Sequence, residues 1–264
     1  APNTTFENLE FRSIKRPIDM VFSDDINSID SNMIKAIYVV SFSSSGNNIP
    51  SNNLIVKSCG FKYLYGIAIH INDTVEKPEI DDCYFIDLYR DINGGSTQPT
   101  GVLINSAYNI EVKNSIFENI IDLNDGLSHA IYLGNNKGGK VFNNIVHITH
   151  SQFNVGNNGS GGIQFLSGDN IDFDVYSNTF TNVRNNISDL KRSKIRDNIF
   201  VNVQNQISNI SNINFYGNTY NQTKTLGLFK GINNIIGNTS DIYFLNEQFI
   251  YPDTFISTTA SGNS

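Results

Sequence analysis

The sequence has no tryptophan, two cysteines and two methionines, and only 16% of its 264 residues are charged. Each scarcity removes a class of protein. Apolar residues are interrupted every two or three positions, so no run approaches the roughly 18 that a membrane-spanning helix needs, and membrane insertion is not expected. Basic residues are few, 18 Lys and Arg against 25 Asp and Glu, giving a net charge of -7 and a pI near 5.0. Binding to a phosphate backbone depends on clustered cations, so nucleic acid is not the expected partner. Cys59 and Cys83 sit in no CxxC or Cys/His spacing, which argues against a disulfide scaffold or a structural zinc site. No metal-ligand spacing is present, and neither a metal nor another cofactor is expected. The 3.6-residue periodicity of amphipathic helices is also missing. The chain opens on Ala-Pro without a signal-peptide pattern, which suggests a processed or truncated piece of a longer protein.

What fills the space is uncharged and polar, asparagine above all, at 40 positions, together with 18 Phe and 12 Tyr. With 39% hydrophobic residues the chain can bury a core of its own. A phrase of the form apolar, polar, small polar, Asn, any, aromatic recurs at 6–11, 56–61, 80–85, 112–117, 141–146, 175–180, 195–200 and 215–220. Its last residues, Phe11, Phe61, Phe85, Phe117, Val146, Phe180, Phe200 and Tyr220, are 50, 24, 32, 29, 34, 20 and 20 residues apart. A floor of 20 with irregular excess fits a coil of fixed minimum length whose loops accept insertions. Apolar residues alternate inside the phrase, as Ile110 and Val112 do against Glu111 and Lys113, so each copy is a short strand. A second alternating family follows at 66–71, 101–106, 130–135 and 162–167.

Two or three short strands per coil predict an all-β, right-handed single-stranded parallel β-helix of about eight to nine coils. Two positions before each anchor stand Leu9, Cys59, Cys83, Ser115, Asn144, Asn178, Asn198 and Asn218, and the 20-residue step continues to Asn238. An amide both donates and accepts, so this column reads as an asparagine ladder, with the two cysteines as buried thiols within it. The coil is assigned to residues 1–239, with a large insertion at about 15–50. Residues 240–264 are expected to cap or leave it.

At HAIYLGN (129–135), VFNNIVHI (141–148), GGIQFLSGDN (161–170) and VYSNTFTNV (175–183) the sequence resembles the pectate-lyase-like superfamily of parallel β-helices. An Asn/Ser/Gly-rich, Trp-free, acidic coil is also similar to the body of bacteriophage tailspikes. That resemblance implies a homotrimer that cleaves a bacterial capsular polysaccharide or lipopolysaccharide, on a virion tail or as a secreted or cell-surface protein. The superfamily includes lyases, hydrolases, epimerases and non-catalytic stalks, so fold alone does not select an activity. The Asn-Thr-Asp, Asp-Asp and Gly-His-Gly series of the polygalacturonases is absent here, as is the acidic calcium cluster with an arginine base of the pectate lyases. Site residues therefore have to come from the columns.

One position past the anchor the outward column places Glu118 beside His147 on adjacent coils. A carboxylate about 5 Å from an imidazole orients it for acid or base work, although an ordinary surface ion pair is the plainer alternative. Asp122 and Asp125, with Asp91, offer the second carboxyl group that glycoside hydrolysis requires. Glu118, Asp122, Asp125 and His147 are the catalytic candidates, and Arg90, His129, Tyr132, His150 and Gln164 the substrate-binding ones. Outward positions of the second strand family are expected at Ala68, Leu103, Tyr132 and Gln164, then at His70, Asn105, Gly134 and Leu166. Tyr132 among amides suits a sugar ring, while Leu103, Leu166, Ile86 and Val201 would suit a subunit interface. Polysaccharide hydrolysis is favoured. A polysaccharide lyase and a non-catalytic adhesin or stalk are the alternatives.

Overall fold

The computed structural model describes residues 4–12, 35–40, 43–44, 47–48, 51–72, 75–89, 98–122, 128–149, 161–166, 168–208, 210–221, 232–236, 240–245 and 248–250. They form a right-handed parallel β-helix with no α-helix among them. Three parallel sheets run along its length. The first includes Thr4–Glu7, Leu54–Lys57, Tyr108–Lys113 and Asn170–Tyr176; the second, Glu10–Arg12, Tyr84–Tyr89, Ile116–Ile121 and Ile145–His147; the third, Lys35–Val40, Ile67–Asn72, Thr100–Asn105 and His129–Gly134. Nine strands follow one another in each of the first two sheets and eight in the third, so we number the coils 1 to 9.

The anchors stack in the register that their spacing predicts. Phe11, Phe61, Phe85, Phe117, Val146, Phe180, Phe200 and Tyr220 are successive partners in the second sheet. Ring centroids are 5.1 Å apart for Phe11–Phe61, 4.9 Å for Phe61–Phe85 and 4.5 Å for Phe85–Phe117, with planes within 5° of parallel. Val146 interrupts the column. It resumes at Phe180–Phe200 and Phe200–Tyr220, 5.3 and 5.0 Å apart.

Only two residues join the first sheet to the second on each coil, and both have assigned tasks. The first of them, Asn8, Ser58, Asp82, Asn114, Asn143, Ser177, Asp197 or Gly217, has φ between 50° and 68°. Short polar residues and glycine tolerate this left-handed conformation, which is why a small polar residue recurs in the phrase. The second is the ladder residue. Asn198 Nδ2 donates to Val175 O at 2.9 Å and to Asn218 Oδ1 at 3.0 Å, while its Oδ1 accepts from the N and Nδ2 of Asn178, both at 3.0 Å. Asn144 and Asn178 repeat the pattern. Ser115 and then Cys83 continue it toward the N-terminal end through Ser115 N to Asn144 Oδ1 and Cys83 N to Ser115 Oγ. Both cysteines are free and buried. Asn238 lies outside the described residues.

Four features depart from the expected arrangement or extend it. In the third sheet His70, not Ala68, is the register partner of Leu103, Tyr132 and Gln164. Ala68 instead sits level with Gly101, where a Cβ would meet the Phe117 ring at 2.8 Å, so this position faces the packed interior. Leu103, Leu166, Ile86 and Val201 are half-buried; the exposed apolar residues of one column on the second sheet are Ile116, Ile145 and Ile199 on coils 4, 5 and 7, with Thr179 between the last two. Within the segment expected to cap the coil, Ser240–Leu245 and Gln248–Ile250 pair with coil 8 and place Phe249 beside Tyr220. Within the insertion at about 15–50, Lys35–Val40 is the first strand of the third sheet.

Candidate functional site

Long connections gather at one edge of the coil. From the second sheet to the third, coils 2, 6 and 7 cross in a few residues, as at 182–183, whereas coils 3, 4 and 5 use the segments 90–97, 123–127 and 150–160, and coils 1 and 8 use 13–34 and 222–231. Those segments lie outside the described residues, and with them Arg90, Asp91, Asp125 and His150. The remaining candidates stand on the strands that flank this edge.

Glu118 and His147 are register partners on coils 4 and 5, and both point outward, half-buried. Their side chains come within 3.7 Å, Nε2 to Oε2. Behind them runs a second polar ladder that the sequence did not disclose. Asn119 Nδ2 donates to Asp87 Oδ1 at 3.0 Å and lies 3.5 Å from Glu118 Oε1, while Asn119 Oδ1 accepts from the Thr149 backbone at 2.8 Å. Tyr89 donates its hydroxyl to the same Asp87 oxygen at 3.2 Å. Asp87, Asn119 and, on later coils, Asn182 and Asn202 all have φ between 52° and 56°. The signal was available two positions past the anchors, but Ile148 breaks the column on coil 5. Because Asp87 is buried, it supports Asn119 and Glu118 from below.

Asp122 directly follows the coil-4 strand of the second sheet and His129 begins that of the third. Both are buried, Asp122 at 3% exposure and His129 at 8%. Burial pushes the His129 imidazole down to a pKa of about 4, against the attraction of the Asp122 charge, so the ring is neutral near pH 7. Its centroid lies 5.4 Å from that of Tyr132, with a tilt of 59°. Tyr132 is half-buried on the outer face of the third sheet, next to the buried Gln164 of coil 5 and to Leu103 of coil 3. Tyr65, Tyr89 and Ile121, four positions past their anchors, point into the core. Among the described residues no group of three or more His, Cys, Asp or Glu side chains is arranged to hold a metal ion.

Comparison with known proteins finds no family model and no curated protein that matches the chain. Among solved structures it is similar to the crystal structure of DFA-IIIase from Arthrobacter chlorophenolicus A6 in complex with GF2. The TM-score is 0.54 at 13% identity, over 96% of this chain and 72% of that one. At this identity the likeness establishes the parallel β-helix and leaves the site to be argued from its own residues. What this edge offers is a surface carboxylate 3.7 Å from an imidazole, a buried aspartate and a buried histidine at its two sides, and an aromatic side chain on the adjoining face.

Proposed function

We propose that this protein binds and cleaves a bacterial surface polysaccharide along the edge between its second and third sheets on coils 3–5. The observation that carries the reading is the in-register Glu118–His147 contact of 3.7 Å, beside an edge crossed by long connections on coils 3 to 5. Parallel stacking repeats side chains about every 4.8 Å, which suits an extended sugar chain better than a compact ligand. Loops at such an edge form the walls of a groove. A structural neighbour that acts on carbohydrate supports the substrate class.

Hydrolysis needs an acid and a second carboxyl group. In this reading Glu118, oriented by His147 and by Asn119, protonates the leaving oxygen, with Asp122 or Asp125 as its partner. Arg90, His129, Tyr132, His150 and Gln164 position the chain. The resemblance to tailspikes supports placing the protein outside the cell, on a virion tail or secreted, as a homotrimer. Incubation with a panel of capsular polysaccharides and lipopolysaccharides, followed by chain-length analysis, tests the activity. On a polymer that is cleaved, Glu118→Gln, Asp122→Asn and His147→Ala are expected to keep the circular dichroism of the wild type. The variant that removes the true acid or base loses at least about 100-fold in rate. Full activity in all three displaces the site, an unsaturated, ultraviolet-absorbing product makes the enzyme a lyase, and binding without shortening makes it an adhesin.

A further inference from the structure

The first sheet, which takes no part in that edge, has a cleft of its own. On coils 2 to 8 one residue in or just before its strand adopts a left-handed conformation, Asn53, Lys77 and Asn109 on coils 2 to 4 with φ of 54°, 56° and 53°. These three are level with one another across the ladder. A left-handed residue within a strand kinks it, so three neighbouring kinks make a trough where a regular strand would give a flat face. Two residues further along each strand the outward column reads Ile55, Glu79 and Glu111. The two columns enclose about 490 Å³, within the range of small-molecule sites. Three coils span about 10 Å at strand spacing.

The same column behaves differently on later coils. Asp172 and Arg192 occupy the kink positions of coils 6 and 7 and pair with each other through two hydrogen bonds of 2.9 and 2.8 Å. On coils 2 to 4 the kink positions are two amides and a lysine, all of which line the cleft. Behind the cleft Lys113 Nζ lies 2.7 Å from Glu79 and 2.9 Å from Glu111. Partial burial works against its charge, but the two carboxylates outweigh that and hold its pKa above the ordinary lysine value. The lysine thereby fixes both carboxyl groups in place, with further lone pairs for donors from outside. It also takes the place a cation would seek.

Lys77, Lys113 and the exposed Lys140, whose Nζ lies 3.9 Å from Glu111 Oε1, surround the two glutamates, so no strong charge of one sign dominates the cleft. Its acceptors suit hydroxyl donors, its amides both donate and accept, and Ile55 and Pro78 provide apolar surface for ring C–H groups. We propose that this cleft is a second glycan-binding site, specific for uncharged sugar units, which anchors the polymer away from the edge that cleaves it. The inference rests on the glycan reading above.

Affinity electrophoresis of the whole chain tests it in native gels containing dextran, inulin or soluble starch, with polygalacturonate as the anionic comparison. At least one neutral gel is expected to retard the wild type. Asn109→Gly and Glu111→Gln should weaken that retardation at least tenfold, as should Ile55→Trp, which fills the cleft without removing a polar group. Unchanged melting curves show that the variants fold. Equal retardation of wild type and all three variants overturns the cleft while leaving the glycan reading standing. Failure of every neutral gel to retard the wild type overturns the second site, and cleavage of the capsular and lipopolysaccharide panel then decides the glycan reading by itself. Stronger retardation by polygalacturonate than by any neutral polymer overturns the assignment to uncharged sugars.

Discussion

At the scale of single residues, burial decides what a polar side chain can do. Glu118 and His147 keep contact with solvent, whereas His129 has been drawn under the surface and made neutral. A histidine whose folded pKa lies near 4, below the ordinary 6.5, stabilises the fold above pH 6.5 and loses that contribution as pH falls toward 4. The full loss amounts to about 3 kcal/mol. Thermal melts of the wild type are therefore expected to drop more steeply between pH 6.5 and 4.5 than those of His129→Leu. Parallel curves would show that the imidazole is protonated as easily in the folded protein as in the unfolded one. Cys83 is governed by the same physics with the opposite sign, because burial pushes its thiol up to about 12 and keeps it unreactive.

At the scale of the element, the two-residue connection between the first and second sheets sets the pitch of the coil. Its left-handed residue reverses the chain, and its ladder residue absorbs the backbone groups that the reversal leaves without strand partners. Asn198 makes four hydrogen bonds within the stack, so Asn198→Leu strands Asn178 N and Nδ2 together with Val175 O. Urea unfolding is expected to show a loss of about 1 to 3 kcal/mol. A loss no larger than that of Lys194→Ala, an exposed control on the outer face, would mean that the ladder adds nothing beyond the strands. The aromatic column behaves differently. Each of its stacked pairs adds about 0.5 to 1.5 kcal/mol beyond the area it buries, and Val146 divides it into two runs around coil 5.

At the scale of the whole molecule, nine stacked coils give the protein faces rather than a centre, and each face has its own chemistry. The first sheet carries a charged ladder and a cleft, the third an aromatic and amide face, and the second an exposed row of Ile116, Ile145 and Ile199. A row of apolar residues along a flat face favours association, and closed symmetry is the usual outcome. Sedimentation equilibrium is expected to give three times the 29.4 kDa chain mass, with Ile145→Lys and Ile199→Lys shifting the protein toward the monomer. A monomer at micromolar concentration in the wild type would remove the trimer.

The sequence by itself determined the fold, the anchor column, the asparagine ladder and the neighbourhood of Glu118 and His147. All of these depend on strands tied to the two-residue turn, where no insertion can shift the register. Beyond the next corner that certainty ended. Connections of unequal length precede the third sheet, so the alignment of Ala68 slipped by two residues from the partner that backbone pairing selects, His70. Phe249 escaped notice because Glu247 replaces the ladder amide and the step from Tyr220 is 29 residues rather than 20. The burial of Asp122 and His129, the Asp87–Asn119 support beneath Glu118, and the cleft between Asn109 and Glu111 are products of packing between coils. Only the tertiary structure decides them, because each requires knowing which residues stand 4.8 Å above and below, across separations of 20 to 34 residues that the local pattern leaves unspecified.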